Sequence, residues 1–196
     1  MTEPRRAEIV RETAETRVRV RLDLDGEGRS DVETGVPFFD HMLDQLGRHG
    51  RLDLHVRTEG DLEIDAHHTV EDTGIAIGQA LASALGDKTG VERFADATVP
   101  IDEALARVAI DLSGRPYLVY DAPTPVELAG TYETTLSKHF FEALVANGRI
   151  TLHVALLSGE NTHHIQEAVF KGVAVALRRA VAVTGRGVPS TKGVLQ

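Results

Sequence analysis

The sequence predicts an α+β fold made by internal duplication, with two α/β two-layer repeats in one chain. Three observations predict it. Strictly alternating apolar segments read as half-buried strands, segments with 3.6-residue apolar spacing read as helices, and the second half repeats the order of the first. A chain of 196 residues can hold both repeats in one domain.

The elements follow in order. "TRVRVRLDLDG" sets Val18, Val20, Leu22 and Leu24 against Arg17, Arg19, Arg21 and Asp23, a half-buried strand that ends in a turn at "DGEG". In "GVPFFDHMLDQLGRHG", Pro37 suits a helix start, Phe38, Met42 and Leu46 form an apolar face, and Gly50 falls just past the end. "RLDLHVRT" alternates as a strand. "HHTVEDTGIAIGQALASALG" predicts a helix through Val70, Ile77, Leu81 and Leu85, ending at Gly86.

The second half repeats this order. "VERFADATVP", "EALARVAIDLSG" and "RPYLVYDA" read as strands, and "PTPVELAG" as a proline-bearing connection. "ETTLSKHFFEALVANG" reads as a helix, "RITLHVALL" as a strand and "HHIQEAVFKGVAVALRRAV" as a helix. Laid together, His41 falls on His139, Gly50 on Gly148, Arg51 on Arg149 and His55 on His153. After a short deletion His67, His68 and Glu71 fall on His163, His164 and Glu167. The repeats run over about residues 5–88 and 89–184, and "TGRGVPSTKGVLQ" continues into an irregular tail, residues 185–196.

Composition narrows the function. There is no cysteine, so thiolate metal sites and cysteine nucleophiles are excluded and a reducing compartment is expected. A formal net charge of -9, with 5% aromatics and no Trp, argues against nucleic acid as a partner. No signal-like segment and no apolar run of membrane-spanning length is present, which predicts a cytoplasmic protein without a membrane partner. Basic residues gather near the C-terminus at Arg178, Arg179, Arg186 and Lys192.

The chemistry lies in a doubled motif. His-His-x-x-Glu occurs at His67, His68 and Glu71 and again at His163, His164 and Glu167, although a shuffled chain of this composition would show roughly 0.03 such motifs. On a helix, His67 and Glu71 share a face while His68 is turned by about 100°. The duplication therefore suggests a swap, with His67 and Glu71 sharing a metal with His164, and His163 and Glu167 sharing another with His68. His41 and His139 complete the two shells. Imidazole with carboxylate suits Mn, Fe, Co, Ni or Zn.

His55 and His153 occupy polar strand positions and read as surface or interface residues. Asp72, matched by Ala168, supports the ligands or caps a helix. His-Glu-x-x-His, a P-loop and Gly-x-Ser-x-Gly are absent. The residues alone leave open a di-metal hydrolase and a non-catalytic assembly held by metal.

Through "DHMLDQLGRHG", "DAHHTVEDTGIAIG", "LSGRPY", "SKHFFEAL", "SGENTHHIQEAVFKG" and "STKGVL", nearly the whole chain resembles the imidazoleglycerol-phosphate dehydratase family of histidine biosynthesis. The resemblance implies a single dehydratase domain over residues 1–196, with ribosomal-protein-S5-domain-2-like repeats and left-handed crossovers. It implies a 24-subunit homo-oligomer with sites at subunit contacts. It also implies two Mn²⁺ per subunit, held by His41, His67, His68, Glu71, His139, His163, His164 and Glu167. Glu15, Gln45 and His49 are implied near the reacting end of a small-molecule substrate, imidazole glycerol phosphate, with Glu15 or Glu167 transferring protons. Arg93, Arg115, Ser190 and Lys192 fall where the family binds phosphate.

Overall fold

A computed structural model describes residues 4–185 and 187–195; Arg186 and the outermost terminal residues lie outside the described residues. Its first half is β1 (Arg6–Glu12), β2 (Thr16–Asp23), β3 (Ser30–Glu33), α1 (Pro37–Gly50), β4 (Asp53–Gly60) and α2 (His67–Leu85). The second half has β5 (Phe94–Ile101), β6 (Ala104–Asp111) and β7 (Tyr117–Asp121). It continues through the short hairpin β8 (Leu128–Ala129) and β9 (Tyr132–Glu133) to α3 (Leu136–Gly148), β10 (Thr151–Ser158) and α4 (Thr162–Ala180).

The two sheets have the same plan. Their strand orders are β1-β2-β4-β3 and β5-β6-β10-β7, each an antiparallel trio with one parallel strand at the edge. The parallel pairs β3/β4 and β7/β10 are joined through α1 and α3, since parallel neighbours need a crossover rather than a hairpin. The duplicated α+β fold stands as the sequence predicts. Strand β2 buries every second residue, with Val18, Val20 and Leu22 inward and Arg17, Arg19 and Arg21 in solvent.

Each sheet is covered on one face by its own two helices, and the helices of the two halves meet, α1 on α4 and α2 on α3. The core is therefore helical in its middle and sheet-walled outside. Phe39, Phe140, Phe141, Phe170 and Tyr132 are buried there, with neighbouring rings 4.8 to 6.2 Å apart.

The α2/α3 seam is the tighter one. A Cβ on Gly78 would lie 2.6 Å from the Leu144 carbonyl oxygen and 2.8 Å from the Gly148 nitrogen, and one on Gly74 would lie 2.8 Å from the Phe140 oxygen. In an exposed helix Gly→Ala stabilises by about 1 kcal/mol. Here the clash reverses the sign: Gly78→Ala is expected to lower stability by about 1–3 kcal/mol in denaturant unfolding. A higher midpoint would refute this packing.

Several boundaries differ from the reading of the sequence. Strands β1, β3 and the hairpin β8–β9 went unread. Gly50 is the last residue of α1, and Arg51 takes the left-handed C-cap with φ 53°, as Arg149 does after α3 with φ 52°. The apolar face of α1 is Phe39, Met42, Leu43 and Leu46, which leaves Phe38 partly buried at the rim. Glu15 does not begin a strand. It lies in the turn between β1 and β2, where the Glu15 and Thr16 amides both donate to Thr13 Oγ1.

Candidate metal centre and active site

The candidate metal ligands sit in the N-terminal turns of the helices. Packing α1 beside α4 brings His41 from the first turns of α1 to His163 and Glu167 of α4. Their ligand atoms all lie within 4.8 Å of one another. His41 Nε2 donates to Glu167 Oε1 at 2.5 Å, and His163 Nε2 approaches the same oxygen at 3.4 Å. Atoms sharing an ion at about 2.1 Å each lie at most about 4.2 Å apart, so small side-chain rotations suffice. Two imidazoles with one carboxylate fit a divalent transition metal.

The α2/α3 seam holds the counterpart only in part: the His67 and His139 rings are 4.9 Å apart, but Glu71 lies exposed one turn along, and among the described residues only the first cluster brings its three groups together. Among the described residues of one chain, no cluster joins His68 to His163 and Glu167, or His164 to His67 and Glu71. Adjacent helix positions point in different directions, so neither histidine reaches the opposite cluster of its own chain.

Both turned histidines are held by acids that the sequence reading missed. Asp61 accepts from His68 Nδ1 at 2.9 Å and Glu103 accepts from His164 Nδ1 at 2.8 Å. These bonds raise both imidazole pKa values, and the histidine partner, followed by backbone amides, holds Glu103 down at about 2. Fixing Nδ1 as the donor leaves each Nε2 facing outward with its lone pair, the usual arrangement behind a metal-binding imidazole. Asp61→Asn is expected to weaken metal binding about 10- to 100-fold in a chelator competition. Unchanged affinity would exclude this orienting role.

A chain of polar side chains runs along α1 and α4 from the first cluster. Gln45 donates to His41 Nδ1 at 3.4 Å and accepts from His49 Nε2 at 3.1 Å. Burial, and then Lys171, lowers the His49 pKa, so that imidazole is neutral at neutral pH. Lys171 donates to Glu167 at 2.7 Å. Burial pushes the Glu167 pKa up, but Lys171 and His41 outweigh it and bring it to about 2. The spacing of Glu167 and Lys171, four apart on one helix face, was the available signal for Lys171.

Glu15 lies elsewhere in the chain, 3.8 Å from His68 Nδ1. Its turn is tied to α2 by buried Asp72, which accepts from Thr16 Oγ1 and pairs with Arg11 at 3.0 Å. Asp72 is therefore neither a helix cap nor a contact of the histidines; it anchors the β1–β2 turn.

The phosphate candidates sit at the opposite end of the fold. Arg93 donates to Asp111 at 2.8 and 3.3 Å and to the Pro189 carbonyl at 2.7 Å. Arg115 is exposed, and Ser190 Oγ accepts from the Lys192 amide at 3.2 Å. The Arg93 amide bonds the carbonyl of Ala180, the last residue of α4. Glu167 near the other end of that helix is thus about 20 Å away at 1.5 Å per residue.

Residues 34–177 match the family model for imidazoleglycerol-phosphate dehydratase. The chain belongs to the imidazoleglycerol-phosphate dehydratase family. An imidazoleglycerol-phosphate dehydratase of Parafrankia sp. (strain EAN1pec) is 63% identical over 97% of this chain and 99% of its own length. One from Acidothermus cellulolyticus is 61% identical over 98% of this chain and 94% of its own. Two crystal structures of dehydratases agree in fold. That from Staphylococcus aureus has a TM-score of 0.83 at 39% identity, covering 91% of this chain and 99% of that one. That from Pyrococcus furiosus, in complex with (S)-C348, has a TM-score of 0.83 at 37% identity, covering 95% and 100%. This is a family of enzymes, and among the described residues no helix is long and apolar enough to cross a membrane.

Proposed function

We propose that the chain dehydrates D-erythro-imidazole glycerol phosphate to imidazole acetol phosphate and water in histidine biosynthesis. Two Mn²⁺ per subunit are its cofactors in this reading. The observation that carries the proposal is the His41–His163–Glu167 cluster in a chain of this family. His67, Glu71 and His139 hold the second ion, while His68 and His164 complete the clusters of neighbouring subunits. When bound, the ions supply Lewis acidity toward the substrate's imidazole.

The chain's own groups handle the rest. In the net change a carbon-bound proton is lost, the adjacent C–O bond breaks, hydroxide gains a proton and departs as water, and the resulting enol becomes the ketone. Glu15 or Glu167 carries the moving protons as a carboxylate within reach of the diol. His49 and Gln45, already bonded to each other, hold the hydroxyls through His49 Nδ1, which accepts, and the second amide hydrogen of Gln45, which donates. Arg93, Arg115, Ser190 and Lys192 grip the phosphate, which fixes the diol through binding remote from the reacting bonds.

Distance supports an assembly. A three-carbon linker spans only a few bonds of about 1.5 Å each, far short of the separation between Glu167 and Arg93 in one chain. Phosphate and metal contacts for one substrate must then come from different subunits, which agrees with a 24-subunit homo-oligomer bearing sites at its contacts. The test is metal depletion, followed by Mn²⁺ addition while imidazole acetol phosphate is measured. Activity is expected to return as about two ions bind per subunit. Metal uptake without product would sink the proposal.

A further inference from the structure

The end of the fold away from the metal clusters holds a second group of cations. Lys88 follows α2 with its backbone left-handed at φ 62°, and it is only 6% exposed. Among the described residues its ammonium has no hydrogen bond or ion pair. Burial lowers its pKa, Arg149 beside it adds to this, and Asp111 opposes it. Asp111 is already committed to Arg93, and Asp87 accepts the Thr89 amide at 2.9 Å.

Lys88 and Arg149 share a cavity of about 490 Å³, whose walls include Asp87, Gly114 and, from the C-terminal segment, Val188 and Leu195. Arg149 spends Nε on the Gly114 carbonyl at 3.2 Å. None of Arg93, Arg115, Ser190 and Lys192 lines this space. Among the described residues, two cations with no ion pair of their own outnumber the single carboxylate, Asp87, on this cavity, and the excess positive charge favours an anion there. An ammonium and a guanidinium fork on one cavity match a doubly charged tetrahedral oxyanion better than a single carboxylate.

We propose that Lys88 and Arg149 form an anion site, separate from the residues assigned to the substrate phosphate, that takes a phosphate dianion or phosphate monoester. It closes against residues 188–195, the segment that also carries Ser190 and Lys192. The site does not depend on the proposed reaction, so its test uses no turnover.

The experiment titrates the full-length protein with inorganic phosphate, and in parallel with glycerol 3-phosphate, following both heat of binding and thermal unfolding. Lys88→Met and Arg149→Met are expected to weaken phosphate binding by about tenfold or more, the loss of one charge-assisted contact. Lys88→Met should also unfold no earlier than the unmodified protein without phosphate, because it removes an unpaired buried charge. Because Arg115 belongs to the proposed substrate-phosphate site, the unmodified protein is expected to bind two phosphates per subunit; Arg115→Ala should weaken one and leave the other, and Lys88→Arg should keep both. At the site that remains in Arg115→Ala, the tighter of the two probes distinguishes free phosphate from a monoester. In the Arg115→Ala background, no phosphate response, or a response that survives both Lys88→Met and Arg149→Met, would overturn the inference.

Discussion

Two inactive variants should restore each other when assembled together. In the proposed site, His41, His163 and Glu167 come from one chain and His68 from another, so His68→Ala and Glu167→Ala each damage every site of a uniform assembly. In a random mixed assembly, about a quarter of the sites draw His41, His163 and Glu167 from a His68→Ala chain and His68 from a Glu167→Ala chain. Each variant alone is expected to lose nearly all turnover, and the co-expressed mixture to recover up to roughly a quarter of normal activity. The physical basis is the tie of His68 to Asp61 and its absence from the cluster that His41, His163 and Glu167 form in its own chain. Failure to complement in assemblies shown to contain both chains would mean that the sites are not shared in this way.

Glu15→Gln is expected to separate chemistry from metal binding. The substitution keeps the shape of the side chain and its place in the turn anchored by Thr13, Thr16 and Asp72, but removes the carboxylate. If Glu15 transfers a proton, kcat should fall by about 10²- to 10⁴-fold. Metal content should stay at that of the unmodified protein, because Glu15 is not among the eight candidate ligands. Turnover close to normal would assign the proton to Glu167 alone. A parallel loss of metal would make Glu15 a support for His68 rather than an acid or base.

Legibility in the sequence followed the strength of the local pattern. Strands β2, β4 and β6 were readable because one face is buried along nearly their whole length, and β10 because Leu152 and Val154 alternate with exposed His153. Strand β1 was not, since it is an edge strand with Arg6, Glu8 and Glu12 around an exposed Val10 and no fully buried residue. Strand β3 offers only Val32 to the interior, and β8 and β9 are two residues each. The eight ligand candidates were legible because duplication marks them twice. Asp61 and Glu103 were not, because each reaches its histidine from a loop or turn, and no helical or strand period records that distance. The separation of Glu15 from His49, and of both from Arg93, is a three-dimensional fact that motif order cannot express.

The two helix seams have diverged. One is closed by Gly74 and Gly78 pressed against the α3 backbone; the other carries the bonded polar side chains Gln45, His49 and Lys171, whose counterparts in the duplication are Ala143, Asn147 and Ile75. A pair of identical half-length chains would have had to present the same polar chain twice, because two-fold symmetry copies every substitution to both sides. Joining the halves in one polypeptide removed that constraint: one seam became free to specialise in rigidity and the other in reactivity, while the doubled histidines remain as the trace of their common origin.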